Sequence, residues 1–501
     1  MKKLLLSTTL MLLLSGVFAQ PAFVKDSLDS YIQQGMKDWN IPGLAIAIVK
    51  DGKVITMKGY GVRDLETKQP VDENTLFMIA SNSKLFTGTA LAQLDYNKKL
   101  SLNDPITNYF PDFQVYDSCT TRLVTIKDML GHHLGTKTFQ GDFTWWNTDL
   151  SRQEIMQKMR LLKPNQNFRA SYGYCNSCFL TAGEVIPKVT GKRWDVYVQD
   201  SLVTPLQMTH TSPLGANMAQ MPNAATPYTN TFSKSLQKLP YDNVDNLAPA
   251  GSMVSCVSDL SHWLMMQLDS GRYNGKRIVP WPVLQKTREG NTLIYTRGSG
   301  ATHFYAYGLG VFMKDFNGKM LYEHTGGADG FVTNVCFIPE EKLGITVLTN
   351  NDNQAFFELL RYQIIRAYLN MPYLNMSQAS LAGFNRERTE SLERLAALSA
   401  RAKGTKPPLP LIAYTGTYEN PLFGAISITS EKNGLKIIFP KNRNLTASLQ
   451  YLDNGEWMLR YSNPAFGIFP LTFRTEGERV TSVDVKVNEF LEYDPYTFTK
   501  K

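Results

Sequence analysis

"GLAIAIVKDGKVITMKGYGV", residues 43 to 62, holds two apolar runs on either side of Lys50-Asp51-Gly52-Lys53. An Asp-Gly pair between such runs predicts a β-hairpin, because the tight turn needs positive φ at both central positions. Upstream, "FVKDSLDSYIQQGMKDW" (23–39) has the spacing of an amphipathic helix. Downstream, residues 85–270 carry mostly helical patterns broken by Pro and Gly. Strand patterns return in "AYGLGVFMKD" (306–315), "KMLYEHTGG" (319–327) and "FVTNVCFIPEEKLGITVLTN" (331–350), followed by a helical "AFFELLRYQIIRAYL" (355–369). Strands from two distant segments must therefore share one sheet. The expected fold class is α+β, an antiparallel sheet flanked by helices with an inserted helical region, spanning residues 20–375.

Beyond it, residues 376–410 read as a helical and Pro-rich linker, ending in the stiff "TKPPLP" of 405–410. From 411 to 501 the period changes to short strands joined at Asn433-Gly434 and Asn454-Gly455. This predicts an all-β sandwich or small barrel, self-contained enough to fold independently.

The chain opens "MKKLLLSTTLMLLLSGVFAQ". Two lysines, an uncharged apolar run and a small residue at Ala19 describe a secretory signal peptide over residues 1–19, and hence an exported, periplasmic or extracellular protein. The run is shorter than the roughly 20 residues a membrane span requires, and no later stretch approaches that length. A net charge of +8 on 501 residues, with no dense basic run, gives no nucleic-acid footprint. Five cysteines, at 119, 175, 178, 256 and 336, leave at least one unpaired. Cys175 and Cys178 form a lone C-x-x-C with no second pair to complete a zinc site, and the adjacent His132 and His133 lack the i, i+4 spacing of helical ligands. No metal or other cofactor is expected.

Three short motifs carry chemistry. In "FMIASNSKLFTGTALAQL" (77–94), Ser81 begins a helical pattern and Lys84 follows one turn later on the same face, which is either a helix cap with a solvated lysine or a nucleophile with its base. The other S-x-x-K, Ser235 to Lys238, has no apolar helical continuation and reads as a surface segment. In "FRASYGYCNSCFLTAGEVIP" (168–187), Tyr174 and Asn176 sit on a loop entering a helix. In "YEHTGGADGF" (322–331), His324-Thr325-Gly326 stands at a strand end and is followed by Gly327.

In that order the motifs resemble S-x-x-K, Tyr-x-Asn and Lys/His-Thr-Gly of serine β-lactamases and penicillin-binding proteins, most like the class C β-lactamase, D-Ala-D-Ala carboxypeptidase and esterase branch. "TIKDMLGHHLGT" (125–136) and "LAPAGSMVSCVSDLSHWL" (247–264) extend the resemblance over roughly residues 22–370. It implies Ser81 as nucleophile, Lys84 as base, Tyr174 in the proton relay, and the Ser81 and Gly327 amides as oxyanion hole. Asn176, His324, Thr325 and Gly326 would bind substrate, His324 as a cation on a substrate carboxylate. His324 stands where β-lactamases carry lysine, which favours esterase or peptidase members. "HHLG" also departs from the usual Thr-Ser before glycine, so the pocket wall there should differ. The implied activity is hydrolysis of small-molecule or short-peptide esters and amides, D-amino-acid peptides and β-lactam-like compounds included. Acyl transfer to a hydroxylated acceptor, or a non-catalytic sensor of cell-wall peptides, are the alternatives. No pattern specifies an oligomeric state.

Overall fold

The computed structural model describes residues 20–296, 300–432 and 434–501. Residues 1–19, which hold the expected signal peptide, and Asn433 of the first expected barrel turn lie outside them. Helix α1 (Leu28–Asp38) leads into β1 (Gly43–Lys50) and β2 (Lys53–Gly61), joined by Asp51 at φ 51° and Gly52 at φ 75°, the turn the Asp-Gly pair calls for. After the helical insertion come β3 (Thr292–Tyr295), β4 (Tyr305–Tyr307), β5 (Phe312–Phe316), β6 (Lys319–Ala328), β7 (Phe331–Ile338) and β8 (Leu343–Thr349). They form one antiparallel sheet in the order β2-β1-β8-β7-β6-β5-β4-β3. The early hairpin thus joins a late meander through β1 and β8, with Leu44 opposite Thr349 and Lys50 opposite Leu343.

Strand β1 sorts its side chains by the two-residue period. Leu44, Ile46 and Ile48 enter one apolar core, shared with α1 and with Phe356, Leu360 and Ile364 of α6 (Phe356–Tyr368). Ala45, Ala47 and Val49 enter the other, shared with α2 (Ser83–Tyr96) and α5 (Val257–Leu268). Between α2 and α5 in sequence lie the single turn α3 (Asp142–Trp145) and α4 (Asn176–Gly183), both wholly buried. Among the described residues no helix is long and apolar enough to cross a membrane.

A long, mostly exposed helix α7 (Met376–Ala400) leads to the C-terminal strands. These are β9 (Gly416–Asn420), β10 (Gly424–Glu431), β11 (Gly434–Ile438), β12 (Thr446–Tyr451), β13 (Glu456–Tyr461), β14 (Ile468–Glu476), β15 (Arg479–Val485) and β16 (Tyr496–Lys500). They close into an eight-stranded barrel, β16 pairing with both β15 and β9. The barrel is also packed by a residue from outside its own strands, which their pattern does not show. Phe143 of α3 packs on Phe423 with centroids 4.8 Å apart, edge-on to Tyr496 at 5.5 Å, and within 6.5 Å of Phe439, Tyr461 and Phe466. A strand pattern shows which face is apolar but not which residue from elsewhere fills the end of the barrel.

Candidate active site

The chain reaches Ser81 through Ala80, whose φ of 45° lies in the left-handed region. A non-glycine residue held there costs on the order of 1 kcal/mol or more, and it is kept in place by its neighbours. Ser83 Oγ donates to the Ala80 carbonyl at 2.6 Å and accepts the Met253 N–H at 3.1 Å. Asn82 Nδ2 donates to Ile79 O and to Thr333 Oγ1 on β7. A single 3-10 turn over Ala80–Asn82 therefore carries Ser81, and α2 starts only at Ser83, slightly later than the sequence pattern suggests.

One turn on, Lys84 is fully buried, and its Nζ lies 3.1 Å from Ser81 Oγ. It also meets Asn176 Oδ1 and the Ala250 carbonyl, each at 2.7 Å. Burial pushes its pKa down to about 7, against the opposing pull of Asp142. A neutral amine has two N–H groups and one lone pair, so with Asn176 and Ala250 as acceptors the lone pair is left for Ser81. The Tyr174 ring lies under Nζ, 4.6 Å from it, and the Tyr174 hydroxyl lies beside Ser81. Burial raises that phenol well above its ordinary range, so it stays protonated while Lys84 can be the base.

Asn176, at the start of α4, is turned inward. Its Nδ2 donates to Asp142 Oδ2 at 2.6 Å while Oδ1 receives Lys84. The resemblance assigned this amide to substrate, but in the structure both its ends are engaged by protein. Asp142 also accepts Trp145 Nε1 at 2.8 Å, and burial raises its carboxyl to about 7. Nothing in "QGDFTWWN" marks Asp142 as functional, since its importance comes from contacts across the fold.

The "HHLG" segment builds the Tyr174 loop. His132 Nδ1 accepts the Cys175 N–H at 3.0 Å, the His132 carbonyl accepts the Gly173 N–H, and its ring lies 4.4 Å from that of Tyr174. Burial lowers its pKa well below the usual value, so it packs as a neutral ring.

His324 lies within β6, not at its end, and is 1% exposed. Its Nδ1 faces the Thr325 carbonyl at 2.8 Å and must carry the proton, so Nε2 accepts from Tyr307 Oη at 2.9 Å. Burial first, then the nearby Lys84, pull its pKa down to about 3. The expected cationic histidine is therefore neutral, because sequence shows the residue type but not its desolvation.

Thr325 is exposed, with Asn334 Nδ2 donating to its hydroxyl at 3.1 Å. At Gly326 a Cβ would collide with the Ile79 carbonyl, so glycine lets β6 lie against the Ser81 turn. At Gly327 a Cβ would come within 2.5 Å of Phe490, a residue of the barrel. Ser81, Tyr174, Asn176, His324, Thr325 and Gly327 share one cavity of about 440 Å³, which Phe490, Leu491 and Tyr493 also line. Glu492, between them, accepts the Gly141 and Phe143 N–H groups at 2.9 and 3.0 Å, and Lys137 pairs with Asp494 at 2.7 Å. Sequence patterns could not have found these residues, which follow the catalytic motifs at long range.

Ser235 is exposed and Lys238 pairs with Glu66 at 3.0 Å, as the surface reading of the second S-x-x-K has it. All five cysteines are free thiols. Among the described residues, His210, Cys256 and Asp259 have ligand-type atoms within 4.8 Å of one another. Asp259 Oδ2 there already accepts the His210 N–H and the Thr211 hydroxyl, and burial raises the Cys256 thiol to about 12, so the set suits a structural clamp better than a metal.

The family model described as Beta-lactamase matches residues 28–369, and that of a Domain of unknown function (DUF3471) matches residues 400–500. Protein flp of Staphylococcus aureus (strain MRSA252) is 29% identical over 344 residues, which are 68% of this chain and 65% of that protein. The chain thus covers slightly less than two thirds of these relatives' length. Unguisins hydrolase ungD of Aspergillus violaceofuscus is 24% identical over 433 residues, 79% of this chain and 75% of its own. The octameric penicillin-binding protein homologue from Pyrococcus abyssi superposes with a TM-score of 0.58 over 94% of this chain and 99% of that one, at 20% identity, a likeness of fold.

Proposed function

The chain belongs to the β-lactamase family, and on that premise we propose that it is an exported serine hydrolase that forms an acyl-enzyme at Ser81 and acts on esters or amides. The observation that carries this reading is the Lys84 amine, fully buried, 3.1 Å from Ser81 Oγ and with a pKa of about 7. A serine hydroxyl needs such a base to attack.

In the proposed cycle Lys84 takes the Ser81 proton as Oγ bonds to the substrate carbonyl carbon. The Ser81 and Gly327 amides hold the oxyanion, a kind of interaction worth about 3–4 kcal/mol per donor in comparable sites. Collapse expels the alcohol or amine, which receives its proton through the neutral Tyr174 phenol. Water then attacks the acyl-enzyme by the same relay and releases the acid. Asn176 and Asp142 position Lys84, and Thr325 offers a hydroxyl to the substrate. The N-terminal signal pattern supports export.

The test is covalent labelling. A fluorophosphonate probe should add its mass to the peptide containing "IASNSK" in wild type and not in Ser81→Ala. Labelling of another residue, or none, would overturn the proposal.

A further inference from the structure

We propose that Glu492, from the barrel segment between β15 and β16, is a positioning residue for the Lys84 and Ser81 pair and acts through Asp142; this rests on the hydrolase reading above. Asp142 opens α3, and Gly141 before it has a φ of 96°. The first four N–H groups of any helix lack a partner within it, and α3 has four residues in all. Glu492 supplies acceptors on either side of Asp142. Its Oε1 takes the Gly141 N–H at 2.9 Å and its Oε2 the Phe143 N–H at 3.0 Å. The Tyr496 hydroxyl lies 2.8 Å from Oε2 and holds the carboxyl from the barrel side.

The turn that Glu492 grips reaches two neighbours of Lys84. Asp142 Oδ2 accepts the Asn176 amide, whose Oδ1 accepts from Lys84. The Phe139 N–H donates to the Tyr174 carbonyl at 2.8 Å, and the Tyr174 N–H donates to Thr138 Oγ1 at 3.2 Å. A shift of residues 138–143 therefore moves the amide that orients Lys84 together with the loop that bears Tyr174. Glu492 is 2% exposed and is held by two backbone amides and a phenol rather than by a cation. Burial raises its carboxyl to about 8, and in either protonation state each oxygen keeps a lone pair for its amide. Lys137 and Asp494 tie the same turn to the barrel at 2.7 Å, but both are nearly half exposed, and a pair of that kind contributes little. The Glu492 side chain is bonded into the turn, whereas Phe490, Leu491 and Tyr493 line the cavity, so Glu492 acts on the base and not on the substrate.

The experiment measures steady-state kinetics of the full chain on a neutral p-nitrophenyl ester, with active sites counted by fluorophosphonate labelling. Glu492→Gln keeps the size of the side chain but turns its amide nitrogen toward a backbone N–H, so one of the two amides loses its acceptor. Per labelled site, kcat should fall about tenfold while KM stays within about twofold of wild type. A role in stability alone would lower the melting temperature and leave kcat per labelled site unchanged. In an Asp142→Asn background, where the link to Asn176 is already altered, Glu492→Gln should cost less than about twofold more. If Glu492→Gln does not fold, Tyr496→Phe removes only the hydroxyl beside the carboxyl, and the same pattern is read with a loss of kcat of about threefold. Unchanged kcat, a change in KM alone, or full multiplication of the two effects, with Ser81 still labelled, would overturn the role of Glu492 and leave the hydrolase standing. Absence of labelling and turnover in the wild type would overturn both.

Discussion

Asp142 lies one hydrogen bond behind Asn176, its Oδ2 2.6 Å from the Asn176 amide nitrogen, and through that amide it fixes which end Asn176 presents to Lys84. The carboxylate orients the base and, by its charge, favours the ammonium form of Lys84.

For a Lys84 with a pKa of about 7, kcat/KM for a neutral p-nitrophenyl ester should fall roughly tenfold per pH unit below that value and level off above it, because the amine must be neutral to accept the proton. Asp142 is itself raised to about 7, so it is charged mainly above the limb, and Asp142→Asn should move the limb to lower pH by only a fraction of a unit. The same variant turns a donor toward Asn176 or Trp145 and should cost about 1–3 kcal/mol of stability. A limb that moves to higher pH would contradict the arrangement.

In the proposed cycle Ser81 and Lys84 serve one step, so their substitutions should not add. Ser81→Ala and Lys84→Ala should each cut turnover by several orders of magnitude, and the double variant should be little worse. Tyr174→Phe keeps the ring under Lys84 and should lose less. Ser235→Ala should match wild type. Burst and steady-state kinetics on one ester read all of these.

Both His132 and His324 are kept neutral by burial, so below about 6.5 the unfolded chain binds protons that the folded one refuses. Their contribution to stability should therefore be lost as pH falls from about 6.5 toward 3. His324→Phe should lower the slope of unfolding free energy against pH in that window by about 1.4 kcal/mol per unit, measured by denaturant titration. A neutral His324 also predicts no break near 6.5 in the ratio of kcat/KM for acidic and neutral substrates.

Phe143→Ala should cost about 3–5 kcal/mol, since its ring is fully buried among barrel aromatics. It should lower turnover as well, because Asp142 is the next residue. Expressed alone, residues 411–501 lack this ring and the Gly141 and Phe143 amides that hold Glu492. They should unfold at lower denaturant than the barrel in the full chain, and equal midpoints would show that Phe143 contributes nothing.

What could be read from sequence was local. Asp51-Gly52 specified its turn through backbone sterics, and Ser81-x-x-Lys84 specified a shared helix face through the helical period. The charge of His324 and the roles of Asn176 and Asp142 depend on desolvation and on partners far along the chain. The same holds for the barrel, whose alternation marks its strands while Phe143, its closing aromatic, belongs to another part of the chain.

The contact of Phe490 with Gly327 also bears on biosynthesis. Ser81 and Lys84, the proposed nucleophile and base, are synthesised early, but the residues that wall the pocket emerge from the ribosome long afterwards. A nascent chain that has already folded its sheet would display Ser81 in an open trough, able to meet esters with little selection. On the proposed function, selection among substrates should begin only once β16 has closed the barrel and Phe490 lies against Gly327. Shortened products that stop before this strand should therefore turn over esters with less selection than the full chain does.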